Sequence, residues 1–90
     1  MSECLHIIVK GRVQGVYFRV YTQKQAVKLG VRGFVRNLAN GDVEIVAGAA
    51  PDVMQQFLAW CRRGPILAKV EELVVNPHLP EQVLVGFEIL

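Results

Sequence analysis

Hydrophobic and polar positions along the chain divide it into short strand-like runs and two stretches of helical period. Leu5-His6-Ile7-Ile8-Val9 is a β-branched run that reads as a buried or half-buried strand. It runs into Lys10-Gly11-Arg12-Val13-Gln14-Gly15, where two glycines permit a loop with unusual backbone angles. From about Val20 to Leu29 a helix is predicted, because Phe18, Thr22, Ala26 and Leu29 recur at helical spacing while Lys24 and Lys28 fall off that stripe. Gly30 stands where a helix-ending glycine belongs.

Alternation resumes from Val31 to Leu38, with Val31, Gly33 and Val35 on one face and Arg32, Phe34 and Arg36 on the other. Asn40-Gly41 predicts a type I′ hairpin turn, which needs positive φ at both central residues. The partner strand covers Asp42 to Ala47, with Val43 and Ile45 sharing a face. Pro51 and Asp52 open a second helix whose apolar stripe is Met54, Phe57, Leu58 and Cys61, and Gly64-Pro65 ends it. A strand from about Ala68 to Val75, a loop bearing Pro77 and Pro80, and a last strand from about Val83 to Ile89 complete the chain.

The order is β-α-β-β-α-β with one extra terminal strand. Two helices separated by a hairpin cannot build a doubly wound parallel sheet, but they can lie together on one face of an antiparallel one. The expected class is therefore α+β, a ferredoxin-like split β-α-β sandwich with an antiparallel sheet of four to five strands. Ninety residues make a single domain, 1–90, burying only about 60–65% of its unfolded surface.

Composition adds limits. An apolar share of 52% against 20% charged residues fits a compact globule and excludes a disordered chain. A net charge of +2 does not call for nucleic acid, although one anion site needs only a local cluster of donors. No apolar run approaches the ~20 residues that span a bilayer. Met1-Ser2-Glu3-Cys4 lacks a basic, then apolar, leader, so a cytoplasmic location is expected. There Cys4 and Cys61 are expected as free thiols, with a disulfide as the alternative.

Chemistry concentrates in Gly11-Arg12-Val13-Gln14-Gly15-Val16-Tyr17-Phe18-Arg19. The segment joins the first strand to the first helix, so its backbone N–H groups can converge beside a helix N-terminus, a setting that favours bound phosphate. Arg19 adds a planar guanidinium able to grip two phosphate oxygens, which a lysine cannot do. The spacing fits neither a Walker A loop nor GxGxxG. On spacing alone, a glycine-loosened turn beside an ordinary surface arginine reads equally well.

The residues themselves are more specific. Gly11 to Arg19 resembles the first signature of the acylphosphatase family, and Gly33-Phe34-Val35-Arg36-Asn37, followed by Asn40-Gly41-Asp42-Val43-Glu44, resembles its second. The interval between Arg19 and Asn37, the chain length and the element order also fit that family. Tyr17, Val20 and the region after Val75 are positions where members differ, and the cysteine that some bacterial members carry near Ala47–Ala49 is absent. The resemblance implies an enzyme that hydrolyses acyl phosphates, with Arg19 binding the phosphoryl group and stabilising the transition state. It implies a cradle from the backbone of Gln14, Gly15, Val16, Tyr17 and Phe18. It also implies that Asn37 holds the attacking water, a role that a lone strand asparagine would not otherwise suggest.

An acyl phosphate already carries a good leaving group, so the remaining barrier is largely positioning and charge stabilisation. No metal and no cofactor are expected: His6 and His78 lack neighbours at metal-ligand spacing, and the only serine is Ser2. Cys61 reads as a core thiol, Trp60 as a cover for the edge of the core, and Lys24 and Lys28 as a solvated face. Arg12 and Arg36 either raise the local potential or are exposed charges without consequence. The competing reading is a non-catalytic anion- or RNA-binding module on the same fold. Arg32-Gly33-Phe34-Val35 begins like an RNP1 motif, but Arg36 stands where an aromatic should follow, on the wrong strand. The expected partner is a small-molecule acyl phosphate, with broad tolerance of the acyl group, and the expected state is a monomer that engages neither nucleic acid nor membrane.

Overall fold

The computed structural model describes residues 2–80 and 83–90. The leader reading that starts at Met1, and the middle of the expected loop at Glu81 and Gln82, lie outside the described residues. The elements in chain order are β1 (Glu3–Arg12), α1 (Phe18–Leu29), β2 (Arg32–Asn37), β3 (Val43–Ala49), α2 (Pro51–Arg63), β4 (Lys69–Pro77) and β5 (Phe87–Ile89). The sheet order is β4-β1-β3-β2-β5. Antiparallel ladders join β1 to β3, β1 to β4 and β2 to β3.

The expected sandwich is therefore present, with one difference. β5 pairs parallel to β2, Gly33 opposite Phe87 and Val35 opposite Ile89, so the sheet is mixed rather than wholly antiparallel. β5 is also shorter than the Val83–Ile89 run expected. Val83-Leu84-Val85 is apolar throughout, a pattern that cannot mark where pairing begins. Gly86, at φ 65°, turns the chain into the sheet, its carbonyl accepting the Gly33 N–H at 2.8 Å.

Both helices lie on one face. The alternation expected of β2 holds, with Gly33 and Val35 buried; Ile7 and Val9 are fully buried in β1, and β3 is buried at Val43 and from Ile45 to Ala49. The stripe of α2 buries Met54, Phe57, Leu58 and Cys61, as its spacing predicted. In α1 Phe18, Thr22 and Ala26 are buried, and the helix opens two residues earlier than expected. Thr22 is accommodated because its hydroxyl donates to the Phe18 carbonyl one turn back, at 2.7 Å. Burial of each large apolar side chain contributes about 1.5–3 kcal/mol. Trp60, half-buried, sits 5.7 Å from the Phe18 ring and closes the edge of this core.

The β2–β3 turn departs from the predicted type I′. Gly41, at φ 98°, has positive φ but Asn40 does not. The Gly41 N–H donates to the Leu38 carbonyl at 3.2 Å, and the Leu38 N–H to the Asp42 carbonyl at 2.8 Å, enclosing a longer loop. Such loops combine a type I turn with a left-handed residue, which needs one glycine rather than two. The Asn40 side chain stabilises it by accepting the Asp42 N–H at 3.0 Å.

Candidate functional site

The loop between β1 and α1 owes its shape to two left-handed residues, Gly15 at φ 74° and Tyr17 at φ 63°. Tyr17 is the one non-glycine residue with positive φ among the described residues. Holding a tyrosine there costs about 1–3 kcal/mol, and strain of this kind gathers where a loop must present its backbone to a ligand. Tyr17 is also the residue from which α1 springs. No side chain caps that end and no acidic residue stands in the first turn, so the orphan N–H groups and the positive end of the helix dipole go unneutralised.

Next to this helix end is a cleft of about 310 Å³ lined by Val13, Gly15, Tyr17, Phe18, Arg19, Val20, Asn37 and Ile89. Arg19 and Asn37, from different elements, thus line one cleft. Arg19 stands in the first turn of α1, and Asn37 is the last residue of β2 and exposed. Of the expected loop residues, Gly15, Tyr17 and Phe18 face the cleft. Val16 is buried in the core, and Gln14 is turned toward the hairpin. Its Nε2 donates to the carbonyls of Leu38 at 2.7 Å and of Asp42 at 2.9 Å, tying the loop to the residues just beyond Asn37.

Arg19 has a tether of its own. Its Nη1 donates to the Leu90 carbonyl at 3.2 Å, while the Leu90 N–H donates to the Val35 carbonyl at 2.9 Å. The strand that carries Asn37 therefore also anchors the segment that holds Arg19. Neither the clamp through Gln14 nor the contribution of Ile89 and Leu90 follows from the sequence. Parallel pairing of a three-residue strand leaves no periodic mark, and a loop glutamine has no distinguishing pattern.

The other charged residues nearby are already engaged. The Arg36 guanidinium pairs with Glu44, and His6 Nε2 lies 2.8 Å from the other oxygen of the same carboxylate. Burial pushes the Glu44 carboxyl up, but the hydrogen bonds from His6 and Arg36 outweigh it, leaving Glu44 below the ordinary carboxylate range. Lys10 pairs with Asp42 at 2.8 Å, which raises its pKa. Arg36 is thus spent on a local pair, while Arg12 stays exposed outside the cleft wall. Phe34, the aromatic of the RNP1-like segment, is half-buried in a second cavity of about 370 Å³ beneath the β4–β5 connection, with Val46 and Leu84.

Both cysteines are free, Cys61 buried and Cys4 half-buried, and burial drives the Cys61 thiol up to about 12. Among the described residues no three His, Cys, Asp or Glu side chains gather as metal ligands would. Nor is any helix among the described residues long and apolar enough to cross a membrane.

With this geometry in place, comparison with known proteins is informative. The family model described as Acylphosphatase matches residues 5–89. An acylphosphatase of Gloeobacter violaceus is 49% identical over 85 residues, 94% of this chain and 90% of that protein. One from Vibrio cholerae is 42% identical over 89 residues, 99% of this chain and 98% of that protein. The crystal structure of acylphosphatase from Bacillus subtilis superposes with a TM-score of 0.92 at 34% identity, covering 100% of this chain and 99% of that one.

Proposed function

The chain belongs to the acylphosphatase family and hydrolyses acyl phosphates, and on that premise we propose that Arg19 and Asn37 carry the reaction in the cleft at the head of α1. The observation behind the assignment is that cleft itself, which brings an arginine from one element and an asparagine from another against an uncapped helix N-terminus. The phosphoryl group sits over the N–H groups of the first turn, with the Arg19 guanidinium gripping its equatorial oxygens. The Leu90 carbonyl occupies one N–H of the guanidinium and leaves the rest of the fork for the substrate.

Asn37 orients a water in line with the bond to be broken. The water oxygen attacks phosphorus, the bond from phosphorus to the acyl oxygen breaks, and the carboxylate leaves with the electron pair. Asparagine is too weak a base to take the proton, so a phosphoryl oxygen of the substrate accepts it, yielding inorganic phosphate. No group needs to supply acid, because a carboxylate leaves readily. What the protein supplies is position and positive charge.

In this reading residues 1–90 act as one catalytic domain, monomeric and independent of metal. A cytoplasmic setting suits the two free thiols. Phosphate release from a model acyl phosphate tests it. Rapid turnover that survives a chelator, with no salt-sensitive retention of RNA, is the expected result. RNA retention without hydrolysis would establish the binding module instead, and turnover that disappears with a chelator would end the metal-independent reading.

A further inference from the structure

The chain leaves α2 through Gly64 and Pro65 and turns at once toward β4, the Ala68 N–H donating to the Pro65 carbonyl at 2.9 Å. Ile66 and Leu67 are the two residues inside that turn, 99% and 62% exposed. A single exposed aliphatic residue is ordinary on a protein surface. Two neighbours held out together by a hydrogen-bonded turn, one of them wholly free of the core, are what an interaction surface presents.

Basic residues surround this tip. Arg62 and Arg63 end α2 on one side of it, and Lys69 begins β4 on the other. Arg12 adds a fourth, since it stands directly opposite Lys69 in the β1–β4 ladder. Like charges opposed across two strands destabilise the pair, and among the described residues neither is in an ion pair. Of the nearby acids, Glu71 and Glu72 share a recess with Arg62, and the charge of Glu72 also acts on Lys10. Arg12, Arg63 and Lys69 are left facing outward around the apolar pair, a local excess that the overall charge of +2 conceals.

We propose that the Ile66-Leu67 turn docks the protein on an anionic lipid surface, the two aliphatic side chains entering the bilayer interface while Arg12, Arg63 and Lys69 meet its headgroups. The chemistry selects this occupant. An aliphatic tip gives a nucleic acid no ring on which bases could stack, and two such basic tips would repel as the halves of a dimer. An anionic bilayer covers the apolar pair and relieves the Arg12–Lys69 repulsion at once. The attachment is peripheral and salt-sensitive, which a spanning segment would not be. The docked end is also the end that carries the cleft: a Cβ on Gly64 would stand 3.2 Å from the ring of Phe18, which lines it.

Vesicle sedimentation of the full chain tests this, with phosphatidylcholine vesicles compared against vesicles containing about one third phosphatidylserine. At about 20 mM salt, where screening is weak, the chain should pellet with the anionic vesicles and stay in solution with the neutral ones. Raising the salt to about 0.5 M should release it. Ile66→Ser combined with Leu67→Ser should weaken partitioning at least about 10-fold, through the lost transfer of two aliphatic side chains. Arg63→Gln and Lys69→Gln should each weaken it about five-fold. All four positions lie outside the reacting centre, so circular dichroism and lipid-free turnover of an acyl phosphate should stay at wild-type values in every variant. Those controls separate lost docking from lost folding. Failure to pellet with anionic vesicles, equal pelleting with neutral ones, or full pelleting of the serine double variant overturns the proposal. Self-association abolished by the serine changes, or retention of RNA without vesicle binding, would assign the tip to another partner and overturn it equally.

Discussion

Gln14 offers a sharp test of how the site is held together. Its amide donates to the carbonyls of Leu38 and Asp42, which close the hairpin directly after Asn37. The clamp thus joins the loop that leads to Arg19 with the strand end that bears Asn37. Gln14→Met keeps the length of the side chain and removes both donors. Each hydrogen bond contributes a net of about 0.5–1.5 kcal/mol. Neither carbonyl is orphaned by the change, since Leu38 still accepts the Gly41 N–H and Asp42 the Leu38 N–H. The expected loss is therefore at the lower end, about 1–2 kcal/mol.

For a chain of this size, that lowers Tm by about 4–15 °C. Turnover should fall further than stability suggests, because a shift of about 1 Å between groups that act together can cost on the order of 100-fold. Thermal unfolding followed by circular dichroism, with kcat for an acyl phosphate measured well below Tm, reads both effects. A Gln14→Met protein that loses Tm but keeps its kcat would reduce the clamp to a structural tie. One that keeps both would refute the reasoning.

Other features predict separate outcomes. A Cβ on Gly33 would stand 1.8 Å from the Val46 carbonyl oxygen, at φ 144°, so Gly33→Ala should cost at least about 4 kcal/mol and show as a collapsed denaturant midpoint. Cys61, with its thiol pushed up to about 12, should resist a thiol reagent at pH 8 while the half-buried Cys4 reacts, both becoming reactive on unfolding. Glu44 titrates lower folded than its unfolded value of about 4.5. Its contribution is thus complete above that pH and is lost as pH falls through the folded value. Glu44→Gln should lower urea midpoints at neutral pH and flatten their decline below pH 4.5.

Much of this architecture is legible in the residues, and where it is not the reason is physical. The stripe of Met54, Phe57, Leu58 and Cys61 is a local pattern of period 3.6 and survives intact as the buried face of α2. Gly33 and Val35 likewise share the buried face of β2, with Val31 buried just before it. β5 is different: it contributes three residues in parallel to β2, a pairing set by the far end of the chain rather than by its own alternation. The hairpin shows the same limit at short range. Asn40-Gly41 marks a turn correctly, but whether one or both residues take positive φ depends on the register at Leu38 and Asp42. At the cleft, the glycine-rich loop before Arg19 suggests an anion site but fits an ordinary surface arginine equally well, and the family signature is what singles Arg19 out. Asn37 is singled out in the sequence only by the family resemblance, since a lone strand asparagine has no distinguishing pattern, and Ile89 joins the cleft only when β5 is placed.

The central claim is that Arg19 holds the phosphoryl group while Asn37 orients the water, and these roles separate in one measurement. Inhibition by inorganic phosphate reports binding, and kcat for acyl phosphate hydrolysis reports the chemical step. Folded Arg19→Lys should lose both, with kcat down by at least about 10²–10³. Folded Asn37→Ala should lose kcat by a similar factor and bind inorganic phosphate nearly as the wild type does. Near-normal turnover in either variant, or loss of phosphate binding in Asn37→Ala equal to that in Arg19→Lys, would contradict the account.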